Sequence, residues 1–243
     1  MFHLPRTAFV RYLAGGKTRG KRMTARKLAA EGLGTAFLAA AVIGAGIMAG
    51  RLTDNAALAL MVTAATSALS LFVMIAVMIP VSGGHLNPAV TLAFALRREI
   101  APGLALAYVA AQVAGGLAGI LMAHAMFGLP LAQVSQTVRS GGGLWLAEGV
   151  ATFGLILVIL GALAARVNVA AIVAAFIATA YWFTASSGFA NPALTLVRAF
   201  TDSPGGIRPA DLPGFLIAET LGALLAVALG GWLFGRTEAT AKG

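Results

Sequence analysis

The chain has 243 residues, of which 59% are hydrophobic and only 10% charged, with a formal net charge of +9 and no Cys. Soluble domains carry about 25% charged residues, so this balance excludes an ordinary water-soluble fold and calls for an all-α membrane protein. The lack of Cys removes disulfides, thiol catalysis and thiolate metal sites. The three His, at 3, 85 and 124, stand too far apart to suggest a metal centre, and no residue pattern calls for a cofactor.

Residues 1–27 form a basic tail with eight Lys or Arg and no acid. Its apolar continuation is full length and lacks a clear signal-peptidase exit, so it does not read as a cleaved signal. A hydrocarbon core of about 30 Å needs roughly 20 apolar residues per helix. Six stretches meet or approach that length: 28–50, 56–80, 103–127, 144–165, 167–186 and 212–235. No segment shows the alternation expected of a β-barrel strand. With six crossings both termini (1–27 and 236–243) lie on one side. That side then collects 13 basic residues and leaves four, Arg51, Arg139, Arg198 and Arg208, on the other. The positive-inside rule makes it the cytoplasmic side, which is the expectation for a multi-pass protein of the cell's inner (plasma) membrane. Topology therefore accounts for the net charge, and no nucleic-acid partner is implied. The tail itself is expected to be an unstructured orientation signal, with contact to anionic lipid as the alternative.

The chain is internally duplicated. AEGLGTAFL at 30–38 returns as AEGVATFGL at 147–155, NPAVTL at 87–92 returns as NPALTL at 191–196, and AYVAAQVAGGLAG at 107–119 faces GFLIAETLGALLA at 214–226. The region 28–235 thus divides into repeat one (28–127), a linker (128–143) with Pro130 and Gly141-Gly142-Gly143, and repeat two (144–235). Three crossings per repeat is an odd number, so the second repeat enters the bilayer upside down.

The segments following each Asn-Pro-Ala, 87–97 and 191–200, are about half the hydrocarbon thickness as helices. Entering from opposite faces, they can meet at the midplane. The residues before them must then be non-helical backbone within the membrane, tolerated only where protein buries it or water lines it. Asn is a good helix N-cap and Pro suits the first helical position, so Asn87-Pro88-Ala89 and Asn191-Pro192-Ala193 read as helix starts. If each Asn oxygen caps its own helix, the amide hydrogens are left to face a lumen. Together with two positive helix ends they favour an oxygen lone pair and repel cations.

These motifs closely resemble those of the major intrinsic protein family, the aquaporins and aquaglyceroporins, over residues 28–235. The resemblance implies six tilted helices plus two re-entrant half-helices, a pore in each protomer and a homotetramer. Glu31 and Glu148, one per repeat, then read as braces for the re-entrant loops, because a mid-membrane carboxylate needs partners and the loops have unpaired N–H groups. His85 reads as a brace at the cytoplasmic mouth. Gly46/Gly50, Gly115/Gly119 and Ala218/Gly222 suit close helix crossings.

In typical family members an Arg follows the second Asn-Pro-Ala directly; here Leu194 stands there. Counting back, twenty residues from Asn87 and twelve and three from Asn191, puts the remaining filter positions on Ser67, Thr179 and Gly188. That set holds neither aromatic ring nor charge, which implies a wide outer constriction. Arg198, four residues beyond Leu194 on the same helical face, is able to reach back toward the vestibule, or else to snorkel or pair with Asp202. The expectation is a passive channel for small neutral solutes (glycerol, urea-sized molecules, metalloid hydroxides such as arsenite) and water. An orthodox water channel is the near alternative. A proton-coupled transporter using Glu31 and Glu148 is the alternative from another class. No nucleophile–base pair or metal cluster supports an enzyme.

Overall fold

The computed structural model of the chain describes residues 17–235, with side chains from Arg22 onward. Expectations for 1–16 and for 236–243 lie outside the described residues. Among those described, every regular element is helical: α1 Lys17–Leu52, α2 Ala56–Ser82, α3 Pro88–Leu96, α4 Pro102–Met126, α5 Gly142–Ala165, α6 Val169–Phe183, α7 Pro192–Val197 and α8 Leu212–Leu233, with 3-10 turns at Arg198–Phe200 and Pro209–Asp211.

The chain's four Asn open four of these helices, two per repeat at matching places. Asn55 caps α2 by accepting from Leu58 N at 3.0 Å, and Asn168 caps α6 from Ala171 N at 3.1 Å. Asn87 and Asn191 cap the half-helices α3 and α7. Each thereby satisfies a donor that the first helical turn leaves unpaired.

The repeats pack alike. In the first, α1 crosses α4; in the second, α5 crosses α8; and α2 meets α6 across the pseudo-symmetry axis. Small residues set the crossing distances. A Cβ on Gly115 would fall on the Gly32 backbone, and one on Gly222 would fall on the Gly149 carbonyl. The Gly119 crossing is equally close, against Ala36. Gly46 and Gly50 differ from expectation: a Cβ on either would meet nothing within 4 Å, since they follow the stretch of α1 that crosses α4.

Two boundaries depart from the sequence reading. The basic tail is not unstructured from Lys17 onward, because α1 already begins there. Lys, Arg, Met and Ala are good helix formers, and the helix continues unbroken into the apolar stretch. At the other extreme, α6 has 15 residues, about 22 Å, and is the one short member among six; the other five are long and apolar enough to cross a membrane. It stops at Phe183 because Thr184 turns extended and its hydroxyl bonds the Ala180 carbonyl at 2.7 Å.

The outer surface suits lipid. Leu52, Leu106 and Trp232 are 73–79% exposed, an arrangement that would promote aggregation in water and is ordinary against acyl chains.

Candidate conduction pore

The two re-entrant loops are built alike, down to the backbone. Gly84 and Leu86 have φ of 61° and 50°, and their counterparts Gly188 and Ala190 have 56° and 47°. Left-handed backbone is costly for residues with a Cβ, so something must hold Leu86 and Ala190 there. The holders are the two Asn. Asn87 Nδ2 donates to the Ala190 carbonyl at 2.7 Å, and Asn191 Nδ2 donates to the Leu86 carbonyl at 2.9 Å. Meanwhile Asn87 Oδ1 accepts from Ala89 N at 2.8 Å, and Asn191 Oδ1 accepts from Ala193 N at 3.1 Å and Leu194 N at 3.3 Å. The oxygens cap their own helices, as the chemistry of Asn leads one to expect. The amide hydrogens do not both face a lumen: one per Asn is committed to the opposite loop.

Each loop rests on a buried carboxylate. Glu31 accepts from His85 N at 3.0 Å, Leu86 N at 2.7 Å, Ser82 Oγ at 2.6 Å and Gln112 Nε2 at 2.7 Å. Glu148 accepts from Phe189 N at 2.9 Å and Ala190 N at 2.8 Å, and also from Ser186. Both are fully buried. A third acid, Glu219, stands where repeat one has Gln112; it accepts from Asn191 N at 3.0 Å and Thr195 Oγ1 at 2.6 Å. These oxygens take up the loop N–H groups that no helix can satisfy.

At the inner end His85 is clamped. Its Nδ1 lies 3.1 Å from Thr91 Oγ1, its ring stacks on Phe94 at 4.7 Å and meets the edge of Tyr108 at 5.3 Å.

The outer end differs from the residue count. Ser67 is buried, and its Oγ is 2.8 Å from Tyr181 Oη. Thr179 sits on the exposed face of α6 with Trp182, and its hydroxyl bonds the Phe176 carbonyl of its own helix. Two residues on a helix are about 200° apart, so a count ending two residues short lands on the opposite face. Thr179 therefore lies on the face of α6 opposite to Tyr181, and it is Tyr181 that faces Ser67. The 3.6-residue periodicity already contained this answer: Val173, Ile177 and Tyr181 are buried at successive turns. Gly188 and Leu194 are both buried beside the second Asn-Pro-Ala. A Cβ on Gly188 would approach the Ala180 Cβ at 3.1 Å, in a backbone conformation that already favours glycine.

Arg198 neither snorkels nor pairs with Asp202. It is 5% exposed, and its guanidinium carbon lies 3.6 Å from the centre of the Phe189 ring. Asp202 Oδ1 instead accepts from Gln136 N at 3.0 Å. Arg139, from the linker, also approaches Phe189, at 5.1 Å. So Phe189 and Arg139 join Arg198, the one cation that the sequence reading had brought toward this end.

Two capped half-helices, tied tip to tip inside a helical bundle with an apolar exterior, define a membrane channel built as an inverted repeat. The chain belongs to the major intrinsic protein family: the model of that family matches residues 19–180. It is 51% identical over 209 residues to the protein named "Aquaglyceroporin AqpS" of Rhizobium meliloti, covering 86% of this chain and 90% of that one. An aquaporin of Zea mays is 35% identical over 138 residues, covering 55% of this chain and 54% of the plant protein. Among solved structures, the aquaglyceroporin from Plasmodium falciparum superposes with a TM-score of 0.68 at 21% identity, over 85% of this chain and 95% of that one, which establishes the shared fold. The chain is accordingly a multi-pass membrane channel for water and small neutral solutes, not an enzyme.

Proposed function

We propose that the channel is aquaglyceroporin-like, passing glycerol, urea-sized solutes and metalloid hydroxides such as arsenite, together with water, passively and in both directions. The observation that carries this reading is Leu194 in the place of the filter arginine, beside Gly188 and Ser67, all small or apolar. Losing a guanidinium from the narrowest point frees volume and removes a hydrogen-bonding clamp that would otherwise select for water. Tyr181 returns one aromatic ring and one hydroxyl to this ring of residues, which gives a sliding polyol a partner on one side and Leu194 an apolar surface on the other. The relative named an aquaglyceroporin, at 51% identity, supports the same reading.

The proposed setting is the inner membrane, with both termini cytoplasmic, as the charge asymmetry favours, and with the protomers assembled as a homotetramer. The test is stopped-flow light scattering on proteoliposomes, comparing water, glycerol, urea and arsenite. Passage of all four is the expected result. Fast water flux with glycerol excluded would establish an orthodox water channel instead. Uptake that saturates and follows a pH gradient would establish a coupled transporter. Against that last outcome stands the commitment of Glu31 and Glu148 to loop donors.

A further inference from the structure

Phe189 lies two residues before Asn191 and is held rigidly. Its N–H is bound by Glu148, and its ring packs on Phe215 of α8 at 5.4 Å, among Ile207, Leu144 and Leu212. Onto this fixed ring two guanidinium groups converge from separate parts of the chain. Arg198 comes from the outer end of α7 and reaches back along its own helix, as helical side chains do. Arg139 comes from the linker between the repeats.

The linker is positioned to deliver it. Ser135 N bonds Ala199 O at 2.9 Å, and Arg208 N bonds Thr137 O at 2.8 Å, so the linker runs beside the segment that follows α7. Arg139 itself donates from Nε to Gly206 O at 2.7 Å and from a terminal nitrogen to Pro204 O at 2.8 Å, while Asp211 holds its backbone N–H at 2.8 Å. A Cβ on Gly206 would collide with Ser135 and with the Thr201 carbonyl, so this docking depends on a glycine.

Neither guanidinium has an ion-pair partner among the described residues. Asp211 is occupied by Arg208 at 2.9 Å. Arg198 makes one long bond, to Gly205 O at 3.4 Å, and its Nε is buried with no acceptor. Burial, and then the nearby charge of Arg198, lowers Arg139 to about 10, which leaves it charged at neutral pH. Arg198 is buried and Arg139 half-buried, and crowding two positive charges on one aromatic face is costly, relieved in part by the field of the Glu148 carboxylate. The cation–π contact offsets part of that, and the unspent donors point to something lone-pair-rich passing beside them.

We infer that the Arg139–Phe189–Arg198 stack is the channel's outer charge barrier and solute-greeting site. It restores, from one helical turn further out and from the linker, the cation rejection and hydrogen-bond donation that Leu194 cannot supply. This inference rests on the channel reading above and assigns a specificity role to a linker arginine and to the ring that seats it. Its consequence is a filter divided by function: width is set by Ser67, Tyr181, Gly188 and Leu194, and charge by a separate stack.

The experiment uses the full chain in proteoliposomes and reads two quantities: solute entry by light scattering, and proton and potassium leak with a pH-sensitive dye and a potential-sensitive dye. Arg198→Leu is expected to raise cation leak at least tenfold. Arg198→Lys, which keeps the charge without the planar stack, and Arg139→Gln should each give a smaller rise. Phe189→Leu should behave between Arg198→Lys and Arg198→Leu. Monodisperse elution and an unchanged melting temperature establish that each variant is folded; if Arg198→Leu fails this, Arg198→Gln is judged by the same criterion. Folded Arg198 variants without charge and with unchanged leak would overturn the inference. Wild-type protein that passes neither water nor glycerol would instead overturn the channel reading.

Discussion

At the scale of single residues, the proposed outer constriction turns on one position. Thr179 and Tyr181 are two residues apart yet face opposite ways, so they separate a family-derived count from the observed geometry. Tyr181→Ala should widen the outer constriction and raise glycerol entry several-fold, while Thr179→Ala should leave it within a factor of two; both are read by light scattering. The reverse pattern would place Thr179 in the filter. Leu194→Arg should place a guanidinium beside Tyr181, reduce glycerol and urea entry at least fivefold and spare water. The carboxylate braces are a matter of stability. Glu31→Ala orphans four donors at about 1–3 kcal/mol for each one buried, so a loss of folded protein is expected in place of a change in selectivity, and Glu31→Gln should recover part of it. Sequence alone made the paired Asn and the two Glu legible, because each is a rare residue type repeated at a fixed place, and Leu194 stood out against the Arg that the family resemblance leads one to expect. Arg139 and Phe189 were not legible, since their partnership crosses from the linker to the second repeat and no local spacing encodes it.

At the scale of elements, the two repeats share a plan but not their dimensions. Their Asn caps coincide, their half-helices coincide, and their tightest crossings fall on glycine in both. Gly222→Leu should drive a side chain into the Gly149 carbonyl and abolish stable α5–α8 packing, seen as lost monodisperse protein. Gly46→Leu, at an open position, should leave yield and flux unchanged in proteoliposomes. Small-residue spacing identified both kinds of site without distinguishing them, because spacing says which residues can permit a close approach and not which neighbour arrives. The helix count was legible from apolar run length. The ends were not: α6 stops at Phe183 through a hydroxyl-to-carbonyl bond from Thr184, a choice that apolarity does not signal.

Over the whole molecule, charge and symmetry work together. An inverted repeat places the two half-helix N-termini toward one another, and the basic excess is the feature we propose to orient the assembly. If that excess controls orientation, replacing the basic residues of 17–27 with Gln should reduce correctly oriented protein, measured by labelling a single introduced Cys near either terminus from each side of the membrane. The chain's lack of native Cys makes that measurement direct. Retained orientation would show that the cytoplasmic loop arginines are sufficient.

The exchange of Asn amides between loops also imposes an order of assembly. Asn87 is translated 103 residues before the carbonyl of Ala190 that it must bind. Until then the first loop, with Leu86 in a left-handed conformation, has Glu31 beneath it but lacks its tie to the second loop, and Leu86's carbonyl waits for Asn191. Repeat one therefore cannot mature alone during synthesis. Its half-helix becomes a finished structure only when the second closes on it, and a chain truncated in the linker should remain a substrate for membrane quality control.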